Sequence, residues 1–267
     1  MLKSTVAAII WPDFWVIDEQ TKTVTLLGTG LEERNEQIRQ TLLAEHRWGT
    51  FEQLRGWTGE VVPVYGPNKE HVLDIEKLAA PLFGIITYGV QLVAYRDDPG
   101  GLSVWIARRA KTKRTFPGML DSTVGGSLIA GESPFQCLIR EAGEEASFSG
   151  RMVRDLAKAC GTVNYVHVTD SRGGGEKGLL TPEVQLTYEM EVGADVVPIP
   201  GDDEVQEFEL RNVNELKRAL GQGEFTPANG CVVLDFLIRH GVIDYENDED
   251  YIEIVSRLHR MLDSPTA

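Results

Sequence analysis

A helix with sharply marked ends and three carboxylates on one side constrains this chain more than any other feature. Ser133 is placed as an N-cap, Pro134 suits the first helical position, and Gln136 completes a capping box, so a helix is predicted over Pro134–Ala146. At about 100° per residue, Glu141, Glu144 and Glu145 fall within an arc of about 100°, whereas Phe135, Leu138, Ile139, Ala142 and Ala146 gather on a different face. Such a helix buries one side and presents the other. Like charges at these spacings cost a few tenths of a kcal/mol per pair, and Arg140, four residues before Glu144, offsets only part of that. Oxygen-only ligands at close quarters suit a hard cation, Mg²⁺ above all, which leaves positions for water and phosphate oxygens. The plain alternative is a solvated acidic helix face.

The surroundings of this helix are rich in strand signals. Phe83–Tyr95 is long, apolar and β-branched, the run from Asp97 to Gly101 reads as a turn, and Leu102–Ala107 reads as the return strand of a hairpin. Further strands are predicted at Gly161–Thr169, Glu183–Glu191 and Val205–Leu210, and further helices at Asn214–Leu220, Gly230–His240 and Asp250–Leu262. Gly173, Gly174 and Gly175 lie between two strands with no following Gly-Lys-Ser/Thr, which makes them a hairpin loop and not a phosphate cradle.

The first 82 residues read as a separate small α+β module. Thr5–Trp11, Phe14–Ile17, Thr23–Leu27 and Glu60–Tyr65 are predicted strands, with Pro63 marking an edge strand. Leu31–His46 and Asp74–Ala80 are predicted helices, and Pro81 marks the boundary. The domains are therefore drawn at 1–82 and 83–267. Elements mix without the regular spacing of a doubly wound sheet, so the fold class is α+β.

Composition narrows the partners. The 267 residues carry 26 Lys+Arg against 41 Asp+Glu, a formal net charge of −15, which argues against nucleic-acid backbones and anionic membrane surfaces. No stretch reaches the ~20 apolar residues of a membrane span. Cys137, Cys160 and Cys231 are too few and scattered for a disulfide framework or a thiolate zinc site, which predicts inert thiols in a reducing, cytoplasmic compartment. A removed organellar transit peptide is the alternative. The five histidines show no ligand spacing.

Around the acidic helix the spacing is specific. Gly126, Glu132, Arg140, Glu141, Ala142, Glu144, Glu145 and Phe148 fall in register with the Nudix box, G-x5-E-x7-R-E-U-x-E-E-x-G-U, where U is apolar. Six fixed charged or glycine matches arise by chance at roughly 10⁻⁷ per start site. Ser147 stands where the box has glycine; Gly150 is expected to take over the helix stop. The chain thus resembles the Nudix hydrolases. Phe83–Val90, Trp105–Lys113, Phe116–Asp121, Asp235–Arg239, Leu258–Arg260 and Arg55–Trp57 further resemble one subfamily: the fungal and plant group related to the Nudix part of thiamine pyrophosphokinase fusion proteins. The resemblance begins partway into that family's N-terminal region.

The resemblance implies an αβα sandwich on a mixed sheet and Mg²⁺-dependent attack of water on a diphosphate, with Mn²⁺ as a substitute metal. Glu141, Glu144 and Glu145 would be metal ligands, Arg140 would orient them, Glu132 would support them, and Gly126 would let backbone approach the metal. A further base or ligand is expected on the loop before the strand Val205–Leu210, with Glu204 preferred over Asp203. The implied substrate is an oxidised or damaged thiamine diphosphate derivative, cleaved to the monophosphate. ADP-ribose, a dinucleotide or a nucleotide sugar are the alternatives, as is a ligand-binding module without catalysis. Isopentenyl diphosphate isomerase shares this fold, but no positioned Cys–Glu pair is evident. Arg108, Arg109, Lys111, Lys113 and Arg114 form the one dense cationic segment and are candidate phosphate ligands. Trp57, Tyr88 and Phe116 are candidates for stacking on a substrate ring. A homodimer is left open, with residues 1–82 forming its surface or covering the site.

Overall fold

The computed structural model describes residues 1–262. In chain order the elements are α1 (Lys3–Ala8), β1 (Trp15–Asp18), β2 (Thr23–Leu26), α2 (Leu31–Trp48), β3 (Val61–Tyr65), β4 (His71–Glu76), α3 (Ala80–Phe83), β5 (Thr87–Asp98), β6 (Gly101–Arg109), β7 (Leu120–Asp121) and β8 (Val124–Ser127). They continue with α4 (Pro134–Ala146), α5 (Gly150–Leu156), β9 (Lys158–Val168), β10 (Leu180–Glu191), β11 (Val205–Asn212), α6 (Val213–Gly221), α7 (Pro227–Arg239) and α8 (Tyr251–Leu258). No described helix is long and apolar enough to cross a membrane.

A central sheet runs β11-β6-β5-β10-β9, with β7 paired to β6 and β8 to β5. Its one parallel pairing, β5 with β10, makes the sheet mixed. Strand alternation divides β5 between two layers. Val90, Leu92 and Ala94 face Cys137, Leu138, Ala142 and Ala146 of α4, with Val153 of α5. Val93 and Tyr95 face Leu216 and Ala219 of α6 and Val232, Val233, Phe236 and Leu237 of α7. Helices on both faces of one mixed sheet make the αβα sandwich, an α+β fold.

The N-terminal residues gather a third core, in which Ile38 and Leu42 of α2 pack with Val62, Ile75 and Leu82, completed by Leu179 from just before β10. Three local expectations fail in or near it. Thr5–Trp11 is not a strand: α1 forms, burying Thr5 and Ile9 four residues apart, and the Trp11 indole donates to the Val6 carbonyl. A six-residue helix closes its own backbone bonds where no strand partner is at hand. Asp74–Ala80 is not one helix. Its first half is the end of β4, with Ile75 registered opposite Val62, both buried. The Glu76 carboxylate accepts from the amides of Thr58 and Gly59, so the chain turns out of the strand into a short 3-10 turn. Pro81 opens α3 instead of ending a helix.

Helix α4 starts as predicted: Gln136 N–H donates to Ser133 Oγ at 3.3 Å, and Ser133 N–H donates to Gln136 Oε1 at 3.0 Å. Its end differs. Ser147 itself adopts the left-handed conformation at φ 56°, and Gly150 opens α5 instead of stopping α4. A serine there carries a Cβ penalty that glycine lacks. Ser147→Gly should stabilise the protein by about 0.5–1 kcal/mol, the relief of strain less the added entropy of the unfolded chain, measured by urea denaturation.

Candidate active site

Two short approaches of backbone to α4 build the site. β8 lies antiparallel to β5, with Gly126 opposite Val90, directly beside α4. A Cβ at Gly126 would sit 2.1 Å from Glu141 Cγ, so only glycine admits the Glu141 carboxylate at this point. The Gly125 amide donates to Glu145 Oε2 at 2.9 Å. On the other side, Ile199 and Gly201 amides donate to the carbonyls of Ala146 and Glu145, and a Cβ on Gly201 would meet the Glu144 carbonyl at 2.3 Å. This docking carries Glu204 to the cleft. The Glu204 amide donates to Asp202 Oδ1, and its carbonyl accepts from Ala110, which fastens the loop to β6.

Arg140 organises the glutamates. It donates twice to Glu132 at 3.0 Å, and its Nη1 meets Glu141 at 2.9 Å and Glu144 at 3.0 Å. Burial pushes Glu141 up to about 7, against the pull of Arg140 and helped by Glu144 and Glu204. Burial also holds Glu145 well above the usual carboxylate range, although the Gly125 amide favours its charged form. Glu204 pairs with Lys113 at 2.5 Å. Glu141, Glu144, Glu145, Arg140, Asp202 and Glu204 line one cleft of ≈560 Å³. Asp203 does not line it.

Among the described residues no three His, Cys, Asp or Glu side chains stand gathered as a metal cage. Arg140 and Lys113 engage Glu141, Glu144 and Glu204 as charge partners. The residues nonetheless fit a hard divalent ion by chemistry: an oxygen-only donor set, two half-buried carboxylates, and a glycine cradle that a Cβ would fill.

The cationic segment divides. Arg108 is bound by Glu209 at 2.7 Å and the Gly118 carbonyl, and it lies outside the cleft, as does exposed Lys111. Arg109 lines the cleft but pairs with Asp121 at 2.6 Å and the Thr115 carbonyl. Arg114 lines it too, yet donates to the carbonyls of Glu52, Gln53 and Gly174. Trp57 packs on the N-terminal core beside His46, ring centroids 5.4 Å apart, and not in the cleft. Tyr88 and Phe116 line an adjoining cavity of ≈280 Å³. Arg109, Thr115, Gly125, Gly126 and Ser127 border both spaces.

Sequence reasoning missed two groups. Thr58, Glu60, Lys77 and Leu78, from the first 82 residues, wall the glutamate cleft, with no local signal to announce it. Tyr165, His167, Glu183 and Gln185 line the second cavity. They alternate along β9 and β10, and that period-two polar stripe was the available signal.

A mixed sheet between helices, with an Arg-centred glutamate cluster at a glycine cradle, defines a Nudix hydrolase fold and site. The NUDIX domain model matches residues 87–228, and the chain belongs to that family, whose named relatives here are Nudix hydrolases. An uncharacterized protein of Saccharomyces cerevisiae is 34% identical over 268 residues, covering 98% of this chain and 78% of its own length. Nudix hydrolase 20, chloroplastic, of Arabidopsis thaliana is 32% identical over 237 residues; the match covers 88% of this chain but only 60% of the plant protein. A crystal structure from Deinococcus radiodurans superposes with a TM-score of 0.46 at 20% identity, covering 75% of this chain and 100% of that one.

Raised carboxylate pKa values set the sign of a stability effect. A folded-state value of about 7 for Glu141 against 4.5 unfolded means that the folded chain binds more protons between these limits, so stability falls as pH rises through that window. In metal-free buffer the melting temperature should drop from about pH 5 to about pH 8, and Mg²⁺ should restore it more at the higher pH, read by thermal denaturation.

Proposed function

We propose that the chain is a Mg²⁺-dependent hydrolase of an organic diphosphate, and that its substrates are thiamine diphosphate derivatives, oxidised or otherwise damaged, cleaved to the monophosphate and phosphate. The observation that carries this reading is the single cleft that holds Glu141, Glu144, Glu145, Arg140 and Glu204 and shares a wall with a ring-sized cavity. Glu141, Glu144 and Glu145 would hold Mg²⁺, or Mn²⁺ in its place, which when bound neutralises phosphate charge and lowers the pKa of water.

The chain's own residues divide the remaining work. Water attacks phosphorus, the P–O bond of the anhydride breaks, and the proton of the water goes to a carboxylate. Glu204 is the proposed acceptor, held at the cleft by Lys113. Arg140 keeps the glutamates in register through Glu132. Lys113 and Arg109 stand on the wall nearest the arriving phosphates, and Lys77 faces them from the N-terminal module. Residues 1–82 are proposed as an extension domain that shields the cleft from bulk water. Arg114 fastens it by bonds to Glu52 and Gln53, and Glu176 by accepting their amides.

Glu145→Gln should retain the fold and lower turnover by about 10²–10⁴-fold, the range for loss of a catalytic carboxylate. Full turnover in this variant would remove Glu145 from the machinery. Phosphate release measured across thiamine diphosphate, its oxidised derivatives, ADP-ribose, a dinucleotide and a nucleotide sugar ranks the substrates. Tight binding of one with release from none would make the chain a binding module.

A further inference from the structure

The cavity beside the glutamate cleft is built around a carboxylate with an oxygen to spare. On β10, Glu183 Oε2 accepts from the Tyr165 hydroxyl and from Gln185 Nε2 at 3.0 Å. Its Oε1 takes no hydrogen bond from the described residues and faces His167 Nδ1 at 3.8 Å, a buried nitrogen with no hydrogen-bond partner. The other carboxylate on this wall, Asp121, is fully engaged: Arg109 holds one oxygen, and Thr226 and Asn229 donate to the other at 2.6 and 2.7 Å. Glu183 is thus the acceptor with capacity for a ligand: its two hydrogen bonds both go to Oε2, and Oε1 has only the His167 ring at 3.8 Å.

Phe116 is the aromatic at this cavity's border with the cleft. It occupies the left-handed region at φ 49°, a strained backbone for a bulky side chain. Its amide donates to the Arg172 carbonyl at 2.8 Å, and the Arg172 guanidinium lies over the ring at 5.7 Å. Strain held this way fixes the ring where it lines the cavity. A space of ≈280 Å³ suits one or two small rings, and its wall is continuous with the glutamate cleft through Gly125 and Gly126.

We propose that this cavity binds the organic ring of the substrate and selects a nitrogen heterocycle that is cationic or presents N–H donors, read by Glu183 Oε1 and stacked on Phe116. The proposal rests on the diphosphate hydrolase reading and adds what that hydrolase recognises. A carboxylate in a partly buried wall favours a positive or N–H-bearing ring and disfavours one that offers only acceptors there.

The test compares two substrates, thiamine diphosphate with its cationic, amine-bearing rings and methyl diphosphate with none. Glu183→Gln should lower the ratio of kcat/KM between them by about tenfold or more, mainly through KM, the scale of one charge-assisted hydrogen bond. Phe116→Leu should move the ratio the same way. Calorimetry with thiamine monophosphate should show a matching loss of affinity in Glu183→Gln, whose melting curve establishes that it is folded. An unchanged ratio together with unchanged monophosphate affinity overturns the ring site. Absence of turnover in the wild-type protein would overturn the hydrolase reading instead, while weakened monophosphate binding in Glu183→Gln would still support the ring site.

Discussion

Arg140 makes the rest of the site tolerable. Glu141 and Glu145 are carboxylates largely removed from water, and isolated burial of such charges costs several kcal/mol each. One guanidinium meets Glu132, Glu141 and Glu144 together, and its planar fork can serve several oxygens where a lysine ammonium would not hold the same geometry. Glu145 lies beyond these contacts and takes the Gly125 amide instead. The close approach of β8 and of the loop at Gly201 follows from this arrangement. Both bring bare backbone to α4 where a side chain would displace a carboxylate or a carbonyl.

The central strand couples this cluster to the second cavity. β5 pairs with β8 at Gly89–Leu92 on one side and with β10 at Thr87–Tyr95 on the other. Gln91, buried on β5, accepts from the Ser122 hydroxyl and donates to Gln185 of β10, which in turn donates to Glu183. A connected polar network inside a sheet fixes the side chains it joins, here with Glu183 Oε1 left open at its end. The glycine cradle and the Glu183 wall are therefore two ends of one preorganised surface.

The part of this architecture legible in the sequence is the part made by local rules. Helix α4 is delimited by its own cap residues, and the hairpin β5–β6 by its turn, so the helix and the turn stand where the sequence places them, although β5 begins at Thr87 and Phe83 ends α3. Glu204, expected from the resemblance on a loop before a strand, lines the cleft with the box glutamates. The segments misassigned are short apolar or mixed runs whose state depends on a distant partner: β4 forms because Val62 lies opposite Ile75, whereas among the described residues no strand pairs with the run that forms α1. The second cavity was out of reach for the same reason. Tyr165 and Glu183 are 18 residues apart and meet only through strand register. The basic run Arg108–Arg114 showed its charge but not its partners, and most of those partners are carboxylates or carbonyls from other elements.

These partners recast the acidity of the chain. Six acidic and five basic residues line the glutamate cleft, so the cleft is not a positive funnel for anions. Arg109 faces Asp121, Arg114 holds backbone carbonyls, and Lys113 neutralises Glu204. The cations there mainly hold the walls together. On the proposed reading, a diphosphate gains its electrostatic welcome from the divalent ion, and the protein adds shape, fixed carboxylates and the ring cavity. Selectivity then resides away from the phosphates, in uncharged contacts and one spare carboxylate oxygen, where a salt-insensitive preference among rings can be built without making the protein attractive to every polyanion.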